Sequence, residues 1–149
     1  MQSLDLINDF MSQRRLAMIG VSRDPKHYSR MLFRAMTERG YEIVPVNPGI
    51  DEVDGHRCFA RVQDVDPQVY GAMVLTAEGV TDLVVRDCAE SGVRRIWMRR
   101  HHKTAEEFCR RQGLDVIAGE CPLMFLDKVE WPHRLHGWVR HLAGTYPGR

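Results

Sequence analysis

Short apolar runs along this chain alternate with segments in which apolar side chains recur every three or four positions. The apolar runs predict five buried β-strands, at residues 16–19, 41–46, 71–76, 93–98 and 114–118. The helical spacing predicts amphipathic α-helices at residues 3–12, 28–38, 80–90 and 104–112. Another short strand is expected within residues 57–60. The whole chain is therefore expected to fold with alternating strands and helices.

Two local details follow from the spacing within the predicted helices. Leu83, Val84 and Ala89 are expected on the face of the 80–90 helix that packs against the core. Thr104 is expected to cap the next helix, where Glu107 would complete an S/T-x-x-E capping box.

Alternating strands and helices with near-continuous apolar strands are typical of a parallel sheet covered by helices on both faces. We therefore predict a Rossmann-like three-layer α/β/α fold with a mainly parallel sheet of about five strands. A length of 149 residues favours a single domain over residues 1–149. Its core is expected at about residues 14–122, followed by a helical C-terminal extension at about 123–149.

Composition and charge narrow the classes of partner. The formal net charge is +1, which does not favour nucleic acid or a general polyanion as the partner. No apolar run approaches the roughly 18 residues that a membrane span requires. The N-terminal residues lack the pattern of a signal peptide, so we expect a cytoplasmic protein that binds no membrane. The sequence leaves open whether the protein binds a protein partner or forms a homo-oligomer.

Cysteine and histidine residues show no pattern that indicates a metal site or a catalytic centre. The cysteines are dispersed without a C-x-x-C pair, and reduced thiols are expected at Cys58, Cys88, Cys109 and Cys121. His101 and His102 are adjacent, whereas His133 and His136 are three residues apart. Neither pair has further ligands at zinc-site spacing, so no metal ligand and no catalytic residue is assigned.

The break after the first predicted strand has the residues of a phosphate-binding loop. Gly20 ends that strand. In a parallel sheet the ligand binds at the carboxyl ends of the strands, and the helix that follows a strand points its N-terminus toward the same place. Hydroxyl groups and positive charges follow on Ser22, Arg23, Lys26, His27 and Ser29.

A dinucleotide fingerprint, however, is not present. The G-x-G-x-x-G pattern requires glycine at positions 20, 22 and 25, where this chain has Gly20, Ser22 and Pro25. The second strand ends in Val46-Asn47-Pro48 without the carboxylate that binds the ribose of NAD. A ligand with a phosphorylated ribose is therefore favoured over NAD. The Walker loop of many ATPases is also absent.

Several motifs together resemble a known family. In order they are "IGVSRDPKHYS", "GYEIVPVNP" with "EVDG" and "RCFA" after it, "GVRRIWM" and "GLDVIAGECP". This series resembles the small stand-alone coenzyme A-binding proteins, whose domain is related to the CoA-binding domain of the succinyl-CoA synthetase alpha subunit. The resemblance extends over roughly residues 16–122.

The resemblance implies coenzyme A or acyl-CoA as the ligand and assigns residues to its parts. The residues that it places around the diphosphate are Gly20, Val21, Ser22, Lys26 and Ser29. Those along the adenosine are Val46, Asn47 and Pro48, and those that flank the ligand from the other side are Thr76 and Ala77. The chain departs from the family at Ala77, where proline is usual, and at 99–103, where a Gln- and Gly-containing loop is usual.

Three functions fit these observations. The leading hypothesis is a non-catalytic module that binds coenzyme A or acyl-CoA. A second is an enzyme on the same fold that uses NADP or acts on a CoA thioester. A third is an interaction protein that uses a basic patch in residues 131–149, where Leu135, Trp138, Val139 and Leu142 predict one apolar helix face.

Overall fold

The computed structural model describes residues 3–126, which form a parallel β-sheet between two layers of helices. The helices are α1 (Leu4–Ser12), α2 (Tyr28–Thr37), α3 (Glu78–Glu90) and α4 (Lys103–Arg111). The strands of the main sheet are β1 (Arg15–Ile19), β2 (Glu42–Val46), β5 (Gly71–Val74), β6 (Arg95–Met98) and β7 (Asp115–Ala118). A separate antiparallel hairpin consists of β3 (Glu52–Val53) and β4 (His56–Arg57).

The order of the five strands fixes where a ligand can enter. The sheet runs β2-β1-β5-β6-β7, and every neighbouring pair is parallel. The chain passes from β1 outward to β2 and then crosses back to β5 on the other side of β1. The direction of winding therefore reverses between β1 and β5, and the carboxyl ends of these two strands border the crevice in which such sheets bind ligands.

Alternate side chains of each strand pack against opposite helix layers. Leu16 and Met18 of β1 share one buried cluster with residues of α1 and α2. Ala17 and Ile19 share the other cluster with residues of α3 and α4. Both faces of the sheet are thus covered, which confirms the predicted Rossmann-like α/β/α fold.

Most predicted elements are present within a few residues of their expected ends, but one of the three residues predicted on the core face of α3 is wrong. Leu83 is 61% exposed, whereas Thr81, Val85 and Cys88 are buried. Val84 and Ala89 are partly buried and pack against the core, as predicted. The helix packs on the sheet through residues 81, 85 and 88, which recur at helical spacing and include a threonine that the hydrophobic pattern did not count.

The predicted capping box of α4 is also wrong. His102 caps the helix, because its Nδ1 accepts the N–H of Ala105. Glu106, rather than Glu107, accepts the N–H of His102 at 2.8 Å. The Thr104 hydroxyl instead donates to Asp82 of α3 at 2.9 Å, so it holds two helices together.

The remaining predictions concern the short strand and the C-terminal extension. The strand expected at 57–60 is displaced to β4, although Phe59 still forms a single bridge to Val46. The predicted helix within residues 131–149, with its apolar and basic faces, lies outside the described residues, as do His133 and His136. Across residues 3–126, every helix is too short or too polar to cross a membrane.

Candidate functional site

A cavity of about 390 Å³ opens at the carboxyl ends of β5 and β6. Three segments line it: His27 and Tyr28 at the start of α2, residues 74–78 after β5 together with Thr81, and residues 98–102 after β6. Helices α2, α3 and α4 all begin at its border. Free N–H groups and the partial positive charge of a helix N-terminus favour anions, so the cavity suits a phosphorylated ligand.

Residues 20–27, called the first loop below, connect β1 to α2. Gly20 has a φ of +93°, and a Cβ atom there would lie 2.9 Å from Leu75 C and Thr76 N. The N–H of Gly20 donates to Val46 at 2.9 Å. Glycine is therefore required at position 20 because the backbones that leave β1 and β5 are in contact there. The sequence alone did not reveal this reason.

Ser29 holds the first loop from inside the protein. Its side chain is fully buried, and its hydroxyl accepts the N–H of Ser22 at 2.8 Å and lies 2.8 Å from His27 Nδ1. His27 caps α2, because the same Nδ1 accepts the N–H of Ser29 at 3.1 Å. The hydroxyl of Ser29 consequently donates to His27 and is occupied within the loop. The Ser22 hydroxyl accepts the N–H of Asp24 at 3.1 Å.

An ion pair with the β3–β4 hairpin supports the same loop. The Arg30 guanidinium donates to the carbonyls of Ser22 and Arg23, each at 3.3 Å, and to Asp54 Oδ1 at 2.5 Å. Arg34 lies 3.6 Å from the other oxygen of Asp54. Sequence reasoning did not identify these three residues, although Asp54 belongs to the "EVDG" segment that carries the family resemblance.

Asn47 ties the end of β2 to the first loop. Its Nδ2 donates to the carbonyl of Val21 at 2.8 Å, and its Oδ1 accepts the N–H of Gly49 at 2.7 Å. Arg23 donates to the carbonyl of Gly49 at 2.5 Å. Val21 and Val46 are buried, whereas Pro48 is exposed. The structure therefore brings the predicted adenosine residues beside the first loop.

Lys26 is a predicted site residue with an exposed charge. Its side chain is exposed, and its backbone N–H donates to Asp24 Oδ1 at 2.9 Å. Within residues 3–126 its ammonium group forms no ion pair. The group is available to bind a phosphate at the mouth of the first loop.

Thr76 and Ala77 lie at the cavity, as a site at the end of β5 requires. The Thr81 hydroxyl donates to the carbonyl of Ala77 at 3.1 Å and accepts from Thr76, with 2.9 Å between the two oxygens. Ala77 is the N-cap residue of α3 and supplies no side-chain acceptor. The first N–H groups of α3 are therefore not capped by that side chain.

Residues 99–102, called the second loop below, connect β6 to α4 and contribute much of the positive charge of the cavity. The Arg99 guanidinium lies 4.0 Å from the centre of the Tyr28 ring. The Tyr28 hydroxyl is 3.4 Å from Cys121 Sγ, and burial raises the pKa of this phenol, with a further contribution from Cys121. The site residues predicted from the sequence do not include this loop. Its place after β6, the strand next to β5, could have indicated it.

His102 joins the two helices that begin beside the second loop. Its Nδ1 accepts the N–H of Ala105, as described, so its Nε2 carries the proton and donates to the carbonyl of Glu78 at 3.1 Å. Arg100 and His101 are exposed. Both ring nitrogens of His102 are thus used in holding the cavity wall.

The cysteines are free thiols, and their surroundings do not indicate a metal centre. Cys58, Cys88 and Cys109 are buried and Cys121 is partly buried. Burial raises the pKa of Cys109 to about 11 and that of Cys88 still further. Residues 3–126 contain no group of three His, Cys, Asp or Glu side chains that could hold a metal ion.

Comparison with known protein families and sequences gives two kinds of match. The family described as "CoA binding domain" matches residues 14–127. Uncharacterized protein YneT of Bacillus subtilis is 28% identical over 110 residues, which are 72% of this chain and 82% of that protein. The acetate–CoA ligase [ADP-forming] II subunit alpha of Pyrococcus furiosus is 24% identical over 129 residues, 78% of this chain. The chain spans only 28% of the length of that ligase subunit.

Solved structures show the same fold. A hypothetical protein from Pyrococcus horikoshii OT3 superposes with a TM-score of 0.73 at 22% identity, over 79% of this chain and 84% of that one. The dinucleotide forming acetyl-coenzyme A synthetase 1 of Ca. Korarchaeum cryptofilum gives a TM-score of 0.64 at 24% identity, over 71% of this chain and 26% of that one. The fold therefore occurs both in a small protein and as part of a much larger one.

Proposed function

The chain belongs to the CoA binding domain family, as its motifs predicted, and we propose that it binds coenzyme A or acyl-CoA without catalysing a reaction on it. The observation that carries this proposal is the cavity at the carboxyl ends of β5 and β6, beside the reversal of strand order, where three helices begin. A nucleotide ligand with several phosphates matches this concentration of N–H donors and basic side chains.

In this proposal the ligand lies across the ends of the strands in a fixed direction. Adenosine lies at the β2 end, beside Val46, Asn47 and Pro48, where Arg23 is held by Gly49. The diphosphate lies along the first loop, against its backbone and the exposed ammonium of Lys26. Thr76 and Ala77 flank the ligand at the end of β5. Ser29 acts indirectly, because its buried hydroxyl holds the loop in shape.

The occupied hydrogen bonds of the cavity support a binding role. Among its described lining residues, Thr76 and Thr81 are bonded to each other, and His27 and His102 use Nδ1 to cap helices. A histidine that caps a helix through Nδ1 cannot accept a proton on that atom without losing the cap. Neither of these two histidines can therefore act as a general base through Nδ1 while the helix caps are intact.

The experiment begins with the purified protein. Excess absorbance at 260 nm, followed by mass spectrometry of the small molecules released on denaturation, would identify a ligand that copurifies. Calorimetric titration of ligand-free protein with CoA, NAD and NADP should then give the lowest Kd for CoA. A Kd for NADP equal to or below that for CoA would contradict the proposal and favour a dinucleotide-dependent enzyme.

A further inference from the structure

The side of the cavity formed by the second loop is strongly basic. Arg99, Arg100, His101 and His102 all line it. Glu78 is the only carboxylate among the described residues that do so. A neutral aliphatic group would be matched by apolar side chains, whereas this wall presents guanidinium and imidazole groups.

The two arginines of this loop are available to an anion. Within residues 3–126, neither Arg99 nor Arg100 forms an ion pair with a carboxylate. Arg99 is held over the ring of Tyr28 at 4.0 Å, which restricts its movement without neutralising its charge. Arg100 is exposed at the cavity. Guanidinium groups bind carboxylates through paired hydrogen bonds, so these side chains suit a carboxylate ligand.

The direction of the bound ligand decides which of its parts meets the second loop. This step rests on the proposed function, in which adenosine lies at β2 and the diphosphate at the first loop after β1. The remaining arm of CoA then extends past β5 toward β6. Neighbouring strands are about 4.8 Å apart, so β6 is roughly 10 Å from β1 across the sheet. The thioester end therefore reaches the second loop, beyond the phosphates.

We propose that the site selects acyl-CoA thioesters whose acyl group ends in a carboxylate, and that Arg99 and Arg100 bind this carboxylate. The ligand class is thus a dicarboxylic acid joined to CoA through one of its carboxyl groups. The second loop acts as the specificity element, whereas the first loop binds the part common to all CoA ligands.

Calorimetry with two matched thioesters tests this inference. Succinyl-CoA and butyryl-CoA have four-carbon acyl chains and differ in the terminal carboxylate. Succinyl-CoA should bind about tenfold more tightly, and the ratio of the two Kd values should approach one in Arg100→Met. Arg111→Met is the control, because Arg111 is exposed in the last turn of α4 outside the cavity and should leave the ratio unchanged.

The outcomes separate this inference from the proposed function. If CoA binds but the two thioesters bind equally, the carboxylate selection is wrong and the proposed function stands. If the preference persists in both Arg100→Met and Arg99→Met, with normal melting curves, the assignment to these arginines is wrong. If neither CoA nor either thioester binds, the result overturns both the proposed function and the carboxylate selection.

Discussion

The first and second loops have equivalent places in the fold but use their polar side chains differently. Each follows a parallel strand and leads into a helix that is capped by a histidine Nδ1, from His27 in one and His102 in the other. At the first loop, Ser29 and Arg30 of the adjoining helix α2 are buried and donate hydrogen bonds to the loop. In the second loop, Arg99 and Arg100 are exposed beside the cavity.

This difference shows that a polar residue beside a loop glycine can be fully used in holding the loop itself. A tight turn leaves backbone groups without partners, and these groups must be satisfied before a side chain is free to bind anything else. The first loop meets this requirement through His27 and through Ser29 and Arg30 of α2. The second loop meets it through His102 and Glu106, and its two arginines form no ion pair within residues 3–126.

The largest effect is expected where the first loop contacts the chain after β5. Gly20→Ala should destabilise the fold by about 3 kcal/mol or more, because it combines a left-handed φ with a clash against Leu75 and Thr76. Gly113→Ala is the matched control, since Gly113 has a φ of +70° and nothing within 4 Å of its added Cβ. Gly113→Ala should lower the free energy of unfolding by about 1–2 kcal/mol. Equal losses in urea denaturation would show that the contact with β5 is not tight.

The next largest effect is expected for Arg30, the buried arginine of α2 that supports the first loop. Arg30→Met should cost about 1.5–3 kcal/mol of stability, because the pair with Asp54 and two carbonyl bonds are lost from a nearly buried site. Arg61→Met removes an arginine that is 59% exposed and paired with Asp87, and should cost less than about 1 kcal/mol. If the two variants melt alike, Arg30 does not support the loop.

Substitution of Lys26 tests whether the first loop has a positive charge that is available to bind the ligand. Lys26→Ala should weaken CoA binding about tenfold or more, since a charge-assisted hydrogen bond contributes roughly 1.5–3 kcal/mol. Ser22→Ala should have a smaller effect. Lys103→Ala is the control at the start of α4, where the side chain is exposed and does not line the cavity. Unchanged affinity in Lys26→Ala, with a normal melting curve, would place the phosphates elsewhere.

The smallest effect concerns α4, the helix that follows the second loop. Burial raises the pKa of Cys109 to about 11 from an ordinary value of 9.0. The contribution of the buried, neutral thiol to the free energy of unfolding is complete below pH 9. It is lost as the pH rises toward 11, because the thiol of the unfolded chain ionises first. The loss should be on the order of 2 kcal/mol.

Denaturation at pH 8 and pH 11 measures this loss. In Cys109→Ala the difference in stability between the two pH values should be smaller than in the unmodified protein. Val116→Ala, a buried truncation in the same cluster without a titrating group, should leave that difference unchanged. An identical pH dependence in Cys109→Ala would mean that the thiol does not contribute.

The fold could be predicted from the sequence because strands such as 16–19 are continuous apolar runs that end at a glycine. The predicted site residues Gly20 and Thr76 lie close together because they follow adjacent strands. The support from Arg30 and Asp54 could not be predicted, since it depends on how a hairpin 24 residues away packs against the first loop. The capping of α4 by His102 was missed because the side chain of Thr104 turns toward another helix.

The most direct test of the account is a titration of ¹⁵N-labelled protein with CoA, followed through the backbone amide chemical shifts. We expect the amides of both the first loop, residues 20–27, and the second loop, residues 99–102, to shift with a single common Kd. Amides in the α4–β7 turn around Gly113 should not move. Shifts confined to other surfaces, or saturation without movement of either loop, would contradict the placement of coenzyme A across the ends of β1, β5 and β6.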